Sequence, residues 1–190
     1  MKYRYVAVLV LSALLLVSGG AARAQPSSSI KNLSALGQDF QVTDPDGKER
    51  SFGEFRGKVV LVFFGFTQCP AVCPTTLANA AEARRMLDKD ADRLQVIFVT
   101  IDPERDSAAV LKGYTAAFDP KILGLRADAA NTAKVAKAFN IFYKKVPTGS
   151  SYTMDHTAFS FIFDGKGDLR QAVHHGQSAA QIAADVRELL

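Results

Sequence analysis

The spacing of apolar residues changes several times along the chain, and each change marks an element. Val6 to Val17 is an unbroken apolar run behind Lys2 and Arg4. Gln25 to Ser34 is rich in serine and has no apolar period. Phe40 to Val42 and Glu49 to Phe52 flank Asp44-Pro45-Asp46-Gly47, residues that suit a tight turn, and predict a small hairpin. Lys58 to Phe64 is continuously apolar between Gly57 and Gly65, the pattern of a strand covered on both faces. Leu77, Ala80, Ala83 and Leu87 then recur at helical spacing, and Leu94 to Ile101 is a second buried strand. Asp106 and Ser107 can cap a helix on which Val110, Tyr114 and Ala117 share a face. A further helix is expected over Ala129 to Phe139 and a strand over Thr157 to Phe163. Asp164-Gly165-Lys166-Gly167 turns that strand into Asp168 to Val173. Ser178 to Leu190 closes as an amphipathic helix with Ile182, Val186 and Leu189 inward.

Alternating strands and helices followed by a hairpin and a terminal helix predict an α/β fold: a thioredoxin-like sandwich with a central mixed sheet, an N-terminal hairpin and flanking helices. The positive end, the short apolar run and Ala22-Arg23-Ala24 make residues 1–24 an export signal peptide, with an uncleaved anchor as the alternative. A spanning helix needs about 20 apolar residues, more than this run supplies. Residues 25–36 are expected to be a flexible leader and 37–190 one domain. Lys144 to Tyr152 contains Pro147, Gly149 and two serines with little apolar patterning, and is expected to be a mobile loop.

Composition places the chain among globular proteins, at 48% hydrophobic and 22% charged over 190 residues. Its pI near 9.1 suggests nucleic acid until the charge is located. Lys2, Arg4 and Arg23 belong to the export segment; without them 20 of the 23 basic residues face 19 acidic ones. The remainder is nearly neutral, so no nucleic-acid partner is implied. The expected location is the periplasm, attached to the membrane only if the N-terminal segment stays uncleaved.

Chemistry concentrates at the two cysteines, Cys69 and Cys73, which directly follow the first buried strand. A disulfide between them would close too short a loop to add much stability, which argues against a purely structural bond. Pro74 favours a helix start there, so backbone N–H groups should favour anionic sulfur, and both thiols are expected to be ready thiolates. His156 precedes the strand at Thr157 and falls on the same sheet edge as the cysteines. Two thiolates and an imidazole form a soft set that suits Cu(I), tolerates Cu(II) and could hold zinc; structural zinc wants a fourth ligand, and the chain has no third cysteine. Asp102 is a candidate outer carboxylate or a simple turn residue. His174 and His175 are read as surface residues, with a secondary metal-collecting patch as the alternative.

Phe63-Phe64-Gly65-Phe66-Thr67-x-Cys69-Pro70-x-Val72-Cys73-Pro74-Thr75, with Asp102-Pro103-x-Arg105-Asp106 and Asp155-His156, closely resembles the SCO/SenC family of cytochrome c oxidase assembly proteins. The resemblance runs from about Gln38 to Leu190. It implies a metallochaperone in which Cys69, Cys73 and His156 bind copper, with Asp102 nearby, for delivery to the CuA centre of oxidase subunit II. Another copper chaperone would be the donor. Members commonly carry an acid between the cysteines where this chain has Ala71. The rival function is a thiol-disulfide oxidoreductase, with Cys69 and Cys73 as the redox pair, that reduces the apo-oxidase subunit or another exported protein. Against it stand the C-x3-C spacing and the lack of proline between Thr153 and Ala158, where thioredoxin-like redox enzymes place one facing the thiols. A peroxidase of the peroxiredoxin type would want a lone nucleophilic cysteine and an activating arginine.

Overall fold

The computed structural model describes Asn32 and residues 41–190. The expected export segment and, Asn32 excepted, the leader lie outside the described residues. β1 (Val42–Thr43) and β2 (Glu49–Arg50) form the N-terminal hairpin. Its turn is held by Asp44, whose carboxylate accepts the N–H groups of Asp46 and Lys48, and by Gly47 at φ +80°. A single 3₁₀ turn over Phe52–Phe55 leads to β3 (Val59–Gly65), which is buried along its whole length.

The chain continues through α1 (Val72–Met86), β4 (Leu94–Thr100), α2 (Ala108–Ala116), β5 (Leu123–Leu125) and α3 (Ala129–Ala138). β6 (Tyr143–Thr148), β7 (Ser151–His156), β8 (Phe159–Phe163), β9 (Leu169–His174) and α4 (Ala179–Arg187) complete it. The central sheet has the order β5-β4-β3-β8-β9, with β3, β4 and β5 parallel and β8 and β9 antiparallel to their neighbours. It is therefore mixed, as the alternation of elements predicted.

Successive side chains of β3 point to opposite faces and so serve two cores. Val60, Val62 and Phe64 pack with Phe139 and Val135 of the α3 layer. Val59, Leu61 and Phe63 pack with Leu77, Ala80 and Ala83 of α1 and with Ile182 and Val186 of α4. Among the described residues no helix is long and apolar enough to cross a membrane.

Three expectations need correction. On α2 the inward residues are Leu111 and Thr115, while Val110 is 46% exposed. Leu111 packs against Gly124 of β5, where a Cβ would lie 2.7 Å from the Leu111 Cγ, so the absent side chain makes the room that selects this face. β5 itself was not anticipated: three residues carry too little pattern to be read. The expected loop over Lys144 to Tyr152 is instead the β6–β7 hairpin, paired from Tyr143↔His156 to Thr148↔Ser151 and turned at Gly149, φ +61°. Both strands are largely polar because the hairpin lies outside the central sheet and is anchored to the core through Met154.

Candidate metal centre

β3 ends at Gly65, and the chain turns through Phe66 to Ala71 into α1. Cys73 is the second residue of that helix and is fully buried, while Cys69 lies in the preceding loop, partly exposed. Gly65 makes the close approach possible, since a Cβ there would sit 2.6 Å from the Cys73 Sγ. The helix has no side-chain oxygen cap; its Cys73 N–H donates instead to the Cys69 Sγ at 3.4 Å. Both sulfurs are free thiols.

The two thiols are not equivalent, which corrects the expectation that both are ready thiolates. The Cys73 thiol donates to Cys69 and, against the opposing effect of burial, lowers Cys69 to about 5 with help from the Cys73, Ala71 and Val72 backbone. Cys73 is raised, because it supplies that hydrogen bond and because its surroundings exclude water. One thiolate and one protonated thiol share the site.

The loop is pinned from below by Asp106, a fully buried carboxylate. It accepts the Thr67 N–H at 3.1 Å and hydroxyl at 2.6 Å, together with the Thr100 hydroxyl. Of the two cap candidates, Asp106 and Ser107, the cap is Ser107, which accepts from Val110 N–H. Burial raises the Asp106 pKa in spite of these donors.

His156 closes β7. Its ring meets Phe66 edge-on at 6.0 Å and His175 at 6.2 Å between centroids. Nδ1 lies 3.0 Å from the Thr157 carbonyl; with the proton assigned to Nδ1, Nε2 keeps its lone pair and could ligate. Asp102 is 1% exposed and accepts the Tyr152 hydroxyl at 2.8 Å and the Arg105 Nε. Its oxygens serve those donors, so it reaches the site through them.

Arg105, to which no role was given from sequence, ties the parts together. Nη1 donates to Gln68 Oε1 of the cysteine loop at 3.0 Å and to the Tyr152 carbonyl of β7 at 2.6 Å. The guanidinium also lies over the Tyr152 ring at 3.7 Å. The signal was its place in Asp102-Pro103-Glu104-Arg105-Asp106, three residues after a buried acid.

The adjacent histidines part company. His174 is exposed and stacks on Phe159 at 4.0 Å. His175, expected at the surface, lies between Phe63 at 5.9 Å and His156. Its ring nitrogens are buried and make no hydrogen bond of normal geometry. Burial, reinforced by His156, pushes its imidazole down to about 4, against a weaker opposing effect of the Phe159 backbone. The structure thus joins Cys69 to Cys73 and His156 to His175. Among the described residues no three His, Cys, Asp or Glu side chains lie close enough together to hold a metal ion.

Relatives carry the same frame. The chain is 42% identical to Bradyrhizobium japonicum ScoI, solved with copper bound, over 82% of this chain and 99% of that one, with a TM-score of 0.75. Apo Sco1 from Thermus thermophilus is 38% identical over 80% and 90%, with a TM-score of 0.72. A SCO2-like protein of Rickettsia felis is 36% identical over 150 residues, 77% of this chain and 73% of that protein. The bovine mitochondrial protein SCO2 homolog is 33% identical over 170 residues, 87% of this chain but 64% of its own length. The SCO1/SenC family model matches residues 28–190, a span that contains the cysteine loop, the Asp102–Asp106 turn and the hairpin ending in His156. With that much of the chain matched, and the central mixed sheet of its solved relatives beneath the site, this protein belongs to the SCO1/SenC family.

Proposed function

We propose that this protein is a metallochaperone of the periplasm that binds copper through Cys69, Cys73 and His156 and delivers it to the CuA centre of cytochrome c oxidase subunit II. The observation that carries the reading is the C-x3-C pair at the start of α1, with one thiol lowered to about 5, in a loop whose Phe66 packs against a β7-terminal imidazole with one nitrogen held by a backbone carbonyl. Copper-bound relatives from Bradyrhizobium japonicum and yeast support it. Donor chemistry agrees: thiolate and imidazole together favour copper, and a neutral imidazole adds no charge.

Each residue has a distinct part. Cys69, at the exposed rim and already anionic, offers the first sulfur. Cys73 follows by releasing its buried proton, so copper uptake is coupled to proton release. His156 completes the set by closure of the hairpin toward the sulfurs, the movement of a paired element rather than the swing of a loose loop. Asp102, held by Arg105 and Tyr152, is the carboxylate that fixes the hairpin beside the cysteine loop. A recipient thiol or imidazole can add at the Cys69 rim before a donor leaves, which keeps copper bound throughout. Oxidation of the cysteines to a disulfide removes both thiolates and closes the site.

Anaerobic copper titration of the reduced protein tests the reading. One equivalent should bind with thiolate-to-copper absorption, Cys69→Ser or Cys73→Ser should abolish tight binding, and His156→Ala should weaken it. Unaltered copper spectra in either serine variant would refute the assignment.

The unequal thiols favour a second reading, thiol-disulfide exchange. The Cys69 thiolate would attack a substrate disulfide, and Cys73 would resolve the mixed disulfide, leaving a protein disulfide and two substrate thiols. His156→Ala separates the two: loss of oxidase assembly at limiting copper with thiol exchange intact supports delivery, and normal assembly supports the reductase.

A further inference from the structure

Of the two described histidines that the copper set above leaves without a role, His174 is exposed, whereas both ring nitrogens of His175 are buried. A neutral imidazole needs a donor and an acceptor partner, and a buried one without either is costly. Both His175 nitrogens are in that state. Backbone bonding does not leave the ring free to leave for solvent: the His175 N–H donates to the Ala158 carbonyl at 3.0 Å, and the chain turns away at Gly176, φ +102°. The ring is held edge-on to Phe63 and to His156.

The contacts also place it at the sulfur end of the sheet. Phe63 and Gly65 are alternate residues of β3 and face the same side. His175 packs on the first and the Cys73 Sγ sits over the second, while His156 packs on Phe66, one residue further along. With metal–nitrogen bonds of about 2 Å, two imidazoles sharing an ion have centroids roughly 4.4 Å apart at a right angle and roughly 6.2 Å apart when they lie opposite each other. His156 and His175 stand at 6.2 Å, so the two rings need little relative movement to share one.

We propose that His175 is a second imidazole donor for copper, joining Cys69, Cys73 and His156 to make a four-coordinate two-sulfur, two-nitrogen site for Cu(II). The assignment rests on the copper-binding reading above. Cu(I) is content with few soft donors, whereas Cu(II) prefers four in a tetragonal arrangement. His175 then makes the difference between the oxidation states: bound in Cu(II), dispensable in Cu(I). An imidazole whose buried nitrogens make no hydrogen bond of normal geometry is what such a reserved ligand looks like.

The test counts imidazoles on copper in the unmodified protein. Reduced protein is loaded anaerobically with one equivalent of Cu(II), and pulsed electron paramagnetic resonance with ¹⁴N- and ¹⁵N-histidine labelling gives the number of bound rings. Two rings are expected, falling to one in His156→Ala and to one in His175→Phe, which keeps an aromatic edge against Phe63. Cu(II) affinity should drop by about 10-fold or more in His175→Phe and in His175→Gln, with Cu(I) affinity changed by less than about 3-fold. A single ring in the unmodified protein, or the same two rings in a folded His175→Phe, overturns the proposal. If Cys69→Ser leaves the copper spectrum untouched, the copper site itself is misassigned; if that variant behaves as expected and only one ring is counted, the error lies with His175 alone.

Discussion

Replacing Gly65 by alanine puts a methyl group 2.6 Å from the Cys73 Sγ and 2.7 Å from the Phe98 Cε2, where ordinary contacts begin near 3.4 Å. Neither neighbour yields easily. Cys73 is fully buried in the first turn of α1, and Phe98 is fully buried between Phe63, at 5.1 Å, and Tyr114, at 5.8 Å. Overpacking of this kind costs about 1–3 kcal/mol. The lower entropy of the unfolded alanine chain returns about 0.4–1 kcal/mol. A net loss of roughly 1–2 kcal/mol follows, or about 2–8 °C in Tm for a domain of this size. Urea titration followed by circular dichroism measures it. Cys73→Ala removes the sulfur from the clash, so Gly65→Ala should cost less in that background, with a coupling of about 0.5–1 kcal/mol in the double-mutant cycle. A Gly65→Ala protein as stable as the parent, or additivity with Cys73→Ala, refutes the argument that Gly65 exists to seat the sulfur.

Three further outcomes are expected. Iodoacetamide should label Cys69 well ahead of Cys73, and the labelling rate should fall as pH drops through about 5, since only the thiolate reacts and Cys69 is lowered to that value; mass spectrometry of peptides carrying each cysteine decides it, and equal labelling or an inflection near 9 contradicts the shared-proton arrangement. Arg105→Met strips the buried Asp102 of its cation and should cost roughly 3 kcal/mol, with amide exchange accelerated over residues 143–156 far more than over β3; unchanged exchange in the hairpin would show that Arg105 does not hold it. Copper binding should raise protection of residues 144–157 more than that of 59–65, because the hairpin closes and the strand is already buried; equal protection with and without metal would mean that His156 is preplaced or is not a ligand.

How much of this was legible in the sequence depends on the range of the interaction. β3, β4, α1 and α4 were readable because each buries a continuous or helically spaced apolar set, and burial acts on a residue through its own side chain. The N-terminal hairpin was readable from Asp44 to Gly47, whose turn bonds are local. The cysteine pair was visible for the same reason: four residues and a proline suffice to set a helix start. The β6–β7 hairpin was not readable, since Lys144, Lys145 and Ser151 pair across a polar ladder whose single deep anchor is Met154. Its strandedness comes from cross-strand bonds, not from apolar alternation.

Sequence by itself determined the mixed α/β fold, the family, and which residue types could meet an ion. Tertiary structure alone decided which of them do what. Cys69 and Cys73 became unequal because one sulfur is seated against Gly65, cut off from water, and keeps its proton while donating a hydrogen bond to the other at the rim. His174 and His175, identical and adjacent in sequence, were sent to solvent and inward against Phe63 and His156 because side chains alternate along the extended chain leaving β9. Of the two cap candidates Ser107 took the cap and Asp106 was left to hold Thr67, and Arg105 gained a role by reaching Gln68 and Tyr152 from a distant turn. Proton sharing, burial and hydrogen-bond bridging are properties of residues brought together from far apart, and only the folded sheet edge brings these together.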